Sequence, residues 1–423
     1  MEGPARRGVS ATIPSDVPPS RPRRMSRPPL RVAVLGAGTV GRAVIEGFMQ
    51  HPERLETADG RQICLTAVAV RDIARARASG IPASLLTDAP AHLVADSGID
   101  VIVELMGGIE PARTLIGAAL GAGKAVVTAN KAVVAHHGPE LEAAARRSGA
   151  ALRFEAAVGG GIPVLGPIAA ELAGNEITRI RGIVNGTTNY ILTAMADEGR
   201  PYDEVLRDAQ ERGYAEADPS GDVEGDDAVN KLVILARLAY DEWLDPASIG
   251  RRPPTIGGDG KPGITGVTDT EIEAVAKLGL TIKLLATAAR GEAGTEATVV
   301  PTAVPADSAF GRTGGVMNRI EIEAEPLGTV AFSGPGAGGA ATSSAVLGDL
   351  LAVARGSGST WAGRQAAHGP VASRGPFDRP HAWFTCTVDR GPMSSDVMAL
   401  HDVRATLASK APDADATIYP IDG

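Results

Sequence analysis

The residues best suited to chemistry in this sequence are the carboxylates and the lysine of positions 213–231. Six carboxylates lie between Gly213 and Asp227, and a stretch typical of an amphipathic helix follows and carries Lys231. Asp227 and Lys231 are four positions apart, so both project from one face near the start of that helix. A lysine whose pKa is lowered by burial or by neighbouring cations can accept a hydroxyl proton, and carboxylates can hold a cationic amino group. An ordinary i,i+4 ion pair beside acids that complement the helix dipole is the structural alternative.

A second lysine follows a predicted strand. Residues 125–128 are short and apolar, as a buried strand is, and Lys131 comes shortly after them. Proteins with parallel α/β sheets place their active sites at the carboxyl ends of the strands. We therefore expect Lys131 to lie near a bound substrate or cofactor.

A glycine-rich turn predicts a dinucleotide site. Its residues are Gly36, Ala37, Gly38, Thr39, Val40 and Gly41, which match G-x-G-x-x-G between a predicted strand, 31–35, and a predicted helix, 43–49. Gly36 would make the tight turn, Gly38 would let the backbone approach a pyrophosphate, and Gly41 would let helix and strand pack closely. Such turns also occur for packing alone, but here the flanking strand and helix agree with a phosphate site at the helix N-terminus.

The end of the second predicted strand bears on which dinucleotide is bound. An acidic residue there usually binds the ribose hydroxyls of NAD, whereas an arginine can bind the 2′-phosphate of NADP. The predicted strand, residues 65–70, is followed by Arg71 and Asp72. Arg71 favours NADP, although the neighbouring Asp72 leaves NAD open and a solvated surface charge would also explain the arginine.

The alternation of apolar segments divides the chain into regions. Residues 30–155 alternate short strands with helices, which predicts an α/β fold with a Rossmann-type doubly wound parallel sheet. Residues 156–329 are expected to form an inserted α+β domain with a mixed or antiparallel sheet. The last region, residues 356–423, is expected to be a short irregular C-terminal tail.

The N-terminal residues 1–29 differ in composition from the rest. They are rich in Arg and Pro and poor in apolar residues, which predicts a disordered arm. An upstream start codon, with Met25 as the true start, and an organellar transit peptide are the alternatives. The segment has no apolar stretch typical of a secretory signal.

Composition excludes several classes of protein. The 423 residues are 44 % hydrophobic and 22 % charged, which excludes wholesale disorder. A net charge of −9 and 3 % aromatic residues argue against a nucleic-acid partner. No apolar run reaches the roughly 18 residues of a membrane span, so no membrane partner is expected. The two cysteines, Cys64 and Cys386, fit a reducing compartment, so we expect a cytoplasmic protein.

Seven motifs between Arg31 and Ala354 together resemble homoserine dehydrogenases. They are GAGTVG (36–41), VELMGG (103–108), TANKA (128–132), EAAVGGGIPV (155–164), NGTTNYIL (185–192), GYAEADPSGDVEGDDAVNK (213–231) and GPGAGGAATSSAV (334–346). The resemblance implies reversible hydride transfer between NAD(P)H and L-aspartate 4-semialdehyde, which gives L-homoserine for threonine, methionine and isoleucine biosynthesis. It also implies a homodimer or homotetramer formed through the substrate-binding domain, 156–329, and a return to the cofactor domain at about 330–355.

The resemblance also implies roles for individual residues. Lys231 would be the acid/base, with Lys131 and Asp227 beside it. The substrate would contact Glu216, Asp222, Gly186, Thr187 and Tyr214. Besides the glycine-rich turn and Arg71, the cofactor would contact Thr128, Asn130, Lys131 and Gly336. A sodium ion would be held, mainly by backbone carbonyls, at Glu155, Val158, Gly160 and Ile162, where a glycine-rich hinge is the alternative.

The C-terminal region departs from the family pattern, and two other functions are alternatives. Residues 356–423 contain at most half of the regulatory ACT domain of longer bacterial members, so threonine feedback is not predicted. An aspartate-semialdehyde dehydrogenase needs a cysteine nucleophile, and neither cysteine is well placed. A non-catalytic NADP-binding regulatory protein would not need the two lysines and their carboxylates together.

Overall fold

The computed structural model describes most of the chain. The described residues are 27–256, 259–291, 294–367, 369–374, 382–387, 391–394, 399–410 and 417–422. The predicted N-terminal arm lies outside them apart from residues 27–29, and so does the alternative start at Met25.

Short apolar runs in the first part of the chain form a parallel sheet with helices between the strands. In chain order the elements are β1 (Leu30–Leu35), α1 (Thr39–Gln50), β2 (Ile63–Ala69), α2 (Ile73–Ala78), β3 (Leu86–Thr87), α3 (Pro90–Ala95), β4 (Val101–Glu104), α4 (Ala112–Gly121), β5 (Ala125–Thr128), α5 (Lys131–Ser148) and β6 (Leu152–Arg153). The strand order is β3-β2-β1-β4-β5-β6, and every pair is parallel. All of β4 is buried, as expected for a strand covered by helices on both faces.

This strand order creates a crevice at one edge of the sheet. The order reverses between β1 and β4, and open α/β sheets bind their ligands outside the carboxyl ends of the strands at such a point. The glycine-rich turn 36–41 follows β1, and the segment 128–131 spans the end of β5 and the start of α5. The predicted Rossmann-type α/β fold is confirmed.

The next residues build a second, mostly antiparallel sheet. The elements are α6 (Leu165–Ala169), β7 (Glu176–Ile183), α7 (Gly186–Glu198), α8 (Tyr202–Glu211), α9 (Ser220–Val223), α10 (Asp226–Tyr240), α11 (Asp269–Ala276), β8 (Leu280–Gly291), β9 (Gly294–Pro305), β10 (Met317–Glu325) and β11 (Gly328–Pro335). These strands lie in the order β11-β10-β7-β8-β9, with antiparallel pairs. Helix α10 packs against β8 and β9 and is buried at every residue from Lys231 to Tyr240.

The chain then returns to the first sheet. Helix α12 (Gly339–Arg355) packs along α1, and Val346 and Leu350 join Val44 in one apolar cluster beside the parallel sheet. The contact is close, since a Cβ added at Gly47 would lie 2.9 Å from the side chain of Leu347. The exact limits of the predicted domains stay predictions.

Residues 356–423 are more regular than expected. Their described elements are β12 (Ala382–Thr387), β13 (Gly391–Ser394), α13 (Leu400–Lys410) and β14 (Ile418–Ile421), and the strands extend the second sheet in the order β9-β14-β12-β13. Asp422 anchors this unit to β7 through ion pairs of 2.6 Å with Arg179 and 2.7 Å with Arg181. Strands β12 and β13 pair with each other as close neighbours, but β14 joins them to β9 from far along the chain, so local sequence patterns indicate the unit poorly.

The sequence predicts a helix over residues 139–148, but α5 begins eight residues earlier, at Lys131. The Asn130 side chain accepts a hydrogen bond from the N–H of Val133 and so caps the helix at its true start. Pro139 lies inside the helix at the cost of one backbone hydrogen bond. No helix within the described ranges is long and apolar enough to span a membrane.

The packing of α5 gives a test of the fold. A Cβ added at Gly138 would lie 2.4 Å from the buried Trp243 ring, so Gly138→Ala should lower the free energy of unfolding by about 1–3 kcal/mol. A Cβ at Gly117 in α4 would meet no atom within 4 Å, so Gly117→Ala should instead stabilise by about 0.5–1 kcal/mol. Thermal unfolding of both variants measures the difference. Equal shifts would contradict the described packing.

Candidate active site

Three charged side chains meet in the crevice. The Asp227 carboxylate on α10 holds the Lys131 ammonium through Oδ1 at 2.8 Å and the Lys231 ammonium through Oδ2 at 2.6 Å. Lys131 begins α5, and Asp227 lies in the first turn of α10. The structure therefore brings together the two lysines that the sequence singled out, although Lys131 follows a strand of the parallel sheet and Lys231 lies in α10, which packs on the second sheet.

Burial and charge act in opposite directions on this cluster. Burial alone would raise the pKa of Asp227, but the ammonium groups of Lys231 and Lys131 lower that pKa below the ordinary aspartate value. The carboxylate of Asp227 raises the pKa of Lys131, and the charges of Asp222 and Glu216 add to this effect. The Lys231 side chain is 10 % exposed and that of Lys131 is 40 % exposed, so Lys131 is the more accessible from the crevice.

The surroundings of Lys231 fix the direction of its N–H bonds. Its Nζ atom donates to the backbone carbonyl of Val184 and to Asp227 Oδ2, both at 2.6 Å. A lysine ammonium has three N–H bonds, so among the described residues one is left for another acceptor. Val184 directly follows β7, which places this acceptor at the end of a strand of the second sheet.

Asn185 connects the two buried carboxylates. Its Nδ2 atom donates to Asp222 Oδ1 at 2.7 Å and to Asp227 Oδ2 at 2.8 Å, while its Oδ1 atom accepts from the N–H of Thr188 and caps α7. Burial raises the pKa of Asp222, and the amide hydrogen bond opposes this. The roles inferred from the sequence did not include Asn185, although an asparagine directly before a helix is a typical cap signal.

The predicted substrate residues lie around this cluster. The Thr187 hydroxyl donates to the carbonyl of Tyr214 at 2.7 Å and lies 3.3 Å from Asp222 Oδ2, so α7 holds the loop after α8. The Tyr214 side chain is exposed. Glu216 lies in the same loop, and within the described part of the chain its carboxylate has no hydrogen bond or ion pair.

The glycine-rich turn has the geometry that a dinucleotide requires. Gly36 has φ +103°, and a Cβ there would lie 2.6 Å from the carbonyl of Leu105. A Cβ at Gly41 would lie 2.1 Å from the carbonyl of Gly36, so a larger residue at position 41 would prevent α1 from packing this closely on the turn after β1. A Cβ at Gly38 would meet no atom within 4 Å, which leaves open space before the N-terminus of α1.

Two predicted cofactor residues are bonded within the protein. The Thr128 hydroxyl donates to the buried carboxylate of Glu104 at 2.7 Å, and Asn130 Nδ2 donates to the carbonyl of Gly108 at 2.7 Å. Burial raises the pKa of Glu104. The two side chains thus shape the loops at the ends of β4 and β5, and their contact with a cofactor stays a prediction.

Arg71 lies in the loop after β2, exposed and beyond the open end of the sheet. The Asp72 carboxylate accepts the N–H of Arg75 at 2.9 Å and caps α2. Asp72 is the acid that would bind the ribose hydroxyls of NAD. One of its two carboxylate oxygens is therefore already hydrogen-bonded to the backbone of α2.

The predicted sodium residues form a tight turn beside Gly336. The Glu155 carboxylate accepts the N–H groups of residues 164–166 at 2.8–2.9 Å, so the oxygen it would offer a cation is its carbonyl. Burial and the charge of Asp349 raise the pKa of Glu155. No hydrogen bond from the described residues reaches the carbonyls of Val158, Gly160 or Ile162.

The cysteines are not placed for thioester chemistry. Cys64 lies opposite Arg31 at the amino ends of β2 and β1, the edge of the sheet away from the crevice. Cys386 lies in β12 of the second sheet. The alternative of a cysteine-dependent dehydrogenase is therefore not favoured.

Comparisons with known proteins agree with this geometry. A family model described as homoserine dehydrogenase matches residues 163–351, and one described as its NAD binding domain matches residues 36–155. The homoserine dehydrogenase of Mycobacterium tuberculosis is 43 % identical over 332 residues, which are 77 % of this chain and 73 % of that protein.

Solved structures give the same result. The crystal structure of a homoserine dehydrogenase from Thiobacillus denitrificans has a TM-score of 0.83 and 32 % identity, covering 94 % of this chain and 99 % of that one. A hyperthermophilic archaeal homoserine dehydrogenase in complex with NADPH has a TM-score of 0.64 and 28 % identity, covering 77 % of this chain and 98 % of that one. The chain belongs to the homoserine dehydrogenase family, whose members are nicotinamide-dependent oxidoreductases.

Proposed function

We propose that Lys231 is the acid/base of the homoserine dehydrogenase reaction in this chain, held in place by Asp227 together with Lys131. The observation that carries the proposal is the carboxylate of Asp227, which binds a different ammonium group through each of its oxygens. The alternative of an ordinary surface ion pair fits poorly, because Lys231 and Asp227 are both largely buried at the crevice.

The charges of the cluster suit aldehyde reduction. The nicotinamide cofactor supplies the hydride when it is bound. The ammonium group of Lys231 would stabilise the negative charge that develops on the aldehyde oxygen. The third N–H bond of Lys231 is free to donate the proton that makes the hydroxyl group. In the reverse direction the same Nζ atom, once deprotonated, accepts the hydroxyl proton of homoserine.

The substrate has a carboxylate and an ammonium group that also need partners. The free carboxylate of Glu216 suits the ammonium group, with Asp222 behind it. The first N–H groups of α7, at Gly186 and Thr187, have no partner within the helix and suit the substrate carboxylate. Tyr214 would cover the substrate from the loop after α8.

We propose NADP as the preferred cofactor. Gly36, Gly38 and Gly41 leave room for a pyrophosphate at the N-terminus of α1, and the exposed Arg71 suits a 2′-phosphate. The archaeal relative bound to NADPH supports this choice. Thr128, Asn130, Lys131 and Gly336 would line the path of the cofactor along the crevice.

We also propose a sodium ion in the turn after Glu155. The carbonyls of Val158, Gly160 and Ile162 are unbonded within the described residues, and oxygen ligands of this kind suit a hard cation. Such an ion would hold the turn against Gly336, whose carbonyl would lie 2.7 Å from a Cβ on Gly160. No step of the reaction depends on this ion.

The assembly and location of the protein are further proposals. Strand β11 is one of the two edge strands of the second sheet, so its outer N–H and C=O groups are available for pairing with another copy. This supports a homodimer, or a homotetramer built from such dimers. A cytoplasmic location fits the small number of cysteines.

Replacement of Lys231 tests the proposed acid/base directly. Lys231→Ala should lower kcat for homoserine oxidation by about 10²–10⁴-fold, because proton transfer loses its partner, while the Kd of NADPH stays within about twofold. A small primary amine added to this variant should restore part of the rate by occupying the vacated space. Absorbance at 340 nm measures the rate.

The matched control is Lys277→Ala, which removes an exposed lysine at the end of α11. Its kcat for homoserine oxidation and its Kd for NADPH should equal those of the wild type. A fall of less than tenfold for Lys231→Ala would remove Lys231 from the acid/base role.

Arg71→Ala tests the cofactor preference. The variant should raise the KM for NADPH by about tenfold or more and leave the KM for NADH nearly unchanged, because only NADPH loses a charge-assisted contact. Arg77→Ala, an exposed arginine on α2, is the matched control. Equal effects of Arg71→Ala on both cofactors would contradict the assignment.

A further inference from the structure

A buried carboxylate ends strand β4 beside the crevice. Residues 101–103 of this strand are apolar, but Glu104 follows them and is 0 % exposed. Burial raises the pKa of Glu104, and the groups that hydrogen-bond to its carboxylate in the described part of the chain are all neutral. A buried carboxylate without a cationic partner is unfavourable, so packing alone does not explain an acid at this position.

The two oxygens of Glu104 hold the ends of two strands. Oε1 accepts from the N–H of Met106 at 2.8 Å, which fixes the start of the loop after β4. Oε2 accepts from the hydroxyl of Thr128 at 2.7 Å, and Thr128 is the last residue of β5 and pairs with Glu104 across the sheet. The carboxylate therefore connects two strands at the edge of the sheet where a ligand would bind.

Hydrogen bonds continue from Thr128 to the start of α5. The Thr128 Oγ1 atom accepts from the backbone N–H of Asn130 at 3.0 Å. The Asn130 side chain accepts from the N–H of Val133 at 3.2 Å and so caps the helix. Lys131 is the first residue of that helix, and its ammonium group lies 2.8 Å from Asp227 Oδ1. A continuous path of bonds thus leads from the buried acid to the first turn of α5.

The chemistry of a carboxylate sets the direction of these bonds. An ionised carboxylate has no hydrogen to donate, so the Thr128 hydroxyl must donate its own hydrogen to Glu104. The lone pairs of that hydroxyl are then left for the N–H of Asn130. Glu104→Gln would replace one oxygen by an NH₂ group, so the side chain could no longer accept from Met106 and Thr128 through separate oxygens. One bond of the path would be lost or reversed while the side chain keeps its shape.

We propose that Glu104 is a positioning residue for Lys131. By accepting from Thr128 it fixes the first turn of α5, and with it the ammonium group that supports Asp227. Glu104 does not touch substrate or cofactor, because its side chain is fully buried. Its effect on the reaction rests on the proposed function, whereas its effect on Lys131 does not.

The reactivity of Lys131 tests the positioning without a measurement of catalysis. The Asp227 carboxylate raises the pKa of Lys131, so little of the amine is unprotonated and able to react with formaldehyde in a reductive methylation. Glu104→Gln should raise the rate of methylation at Lys131 at least about threefold, because the carboxylate holds a displaced ammonium group less well. Peptide mass spectrometry measures the rate, with the exposed Lys277 as the internal reference. An unchanged rate at Lys131 would overturn the proposal.

A double-mutant cycle with Lys131→Ala tests the consequence for the reaction. Glu104→Gln alone should lower kcat for homoserine oxidation about tenfold and leave the KM for homoserine within about twofold, because Glu216 and α7 are not displaced. In the Lys131→Ala background the same change should lower kcat less than twofold, because the group that Glu104 positions is absent. An equal fall in both backgrounds would show that Glu104 acts on the fold as a whole and would overturn the proposal.

The matched control is Asp100→Asn at the other end of the same strand. Asp100 directly precedes β4, and its carboxylate accepts from the N–H of Arg31 at 2.8 Å, at the edge of the sheet away from the crevice. The control should leave kcat and the methylation of Lys131 unchanged. Glu104→Met is the second variant if Glu104→Gln does not fold, because an apolar side chain of similar length removes the cost of the buried charge, and the same results are expected of it. Unchanged binding of 2′,5′-ADP shows that each variant is folded.

The outcomes separate this proposal from the proposed function. If Lys131→Ala leaves kcat within twofold of the wild type, the proposed role of Lys131 in the reaction is contradicted, and faster methylation of Lys131 in Glu104→Gln would still support the positioning. If Lys131→Ala lowers kcat but Glu104→Gln does not change the methylation of Lys131, the positioning by Glu104 is contradicted and the proposed function stands.

Discussion

The proposed active site of this protein depends on one carboxylate shared by two ammonium groups. A buried aspartate is unfavourable unless its charge is paired and its oxygens are hydrogen-bonded. Asp227 meets both conditions through Lys131, Lys231 and the amide of Asn185. Oδ1 is paired with Lys131, and Oδ2 is held by both Lys231 and Asn185, so loss of either lysine would leave the buried carboxylate with less of its charge paired. The two ammonium groups are therefore fixed relative to each other before any ligand binds.

The same interaction connects the two sheets of the protein. Lys131 follows β5 of the parallel sheet, whereas Asp227 and Lys231 belong to α10, which packs on the antiparallel sheet. The Val184 carbonyl that orients Lys231 lies at the end of β7. The proposed reacting groups thus meet where the carboxyl ends of the parallel strands face the second sheet, which would let hydride and proton reach adjacent atoms of a small substrate.

Local features of the site could be predicted from the sequence, because they depend on neighbouring residues. The glycine-rich turn, the helix at 226–240 and the position of Asp227 beside Lys231 follow from spacing alone. The pairing of Lys131 with Asp227 spans 96 positions, and the carboxylate bridge of Asn185 depends on three separate segments. Local patterns contain no signal for such contacts, just as Pro139 misplaced the start of α5 and the strands at 391–394 and 418–421 were missed.

Replacing Asp227 with asparagine tests the central claim most directly, because the side chain keeps its shape and loses its charge. The measurement is the single-turnover rate of L-aspartate 4-semialdehyde reduction with bound NADPH, with Asp226→Asn, which changes an exposed neighbouring acid, as the matched control. We predict that Asp227→Asn lowers this rate by about 10²–10³-fold, as the loss of preorganised electrostatic groups does, while Asp226→Asn leaves it nearly unchanged. A rate for Asp227→Asn within threefold of the wild type would contradict the account.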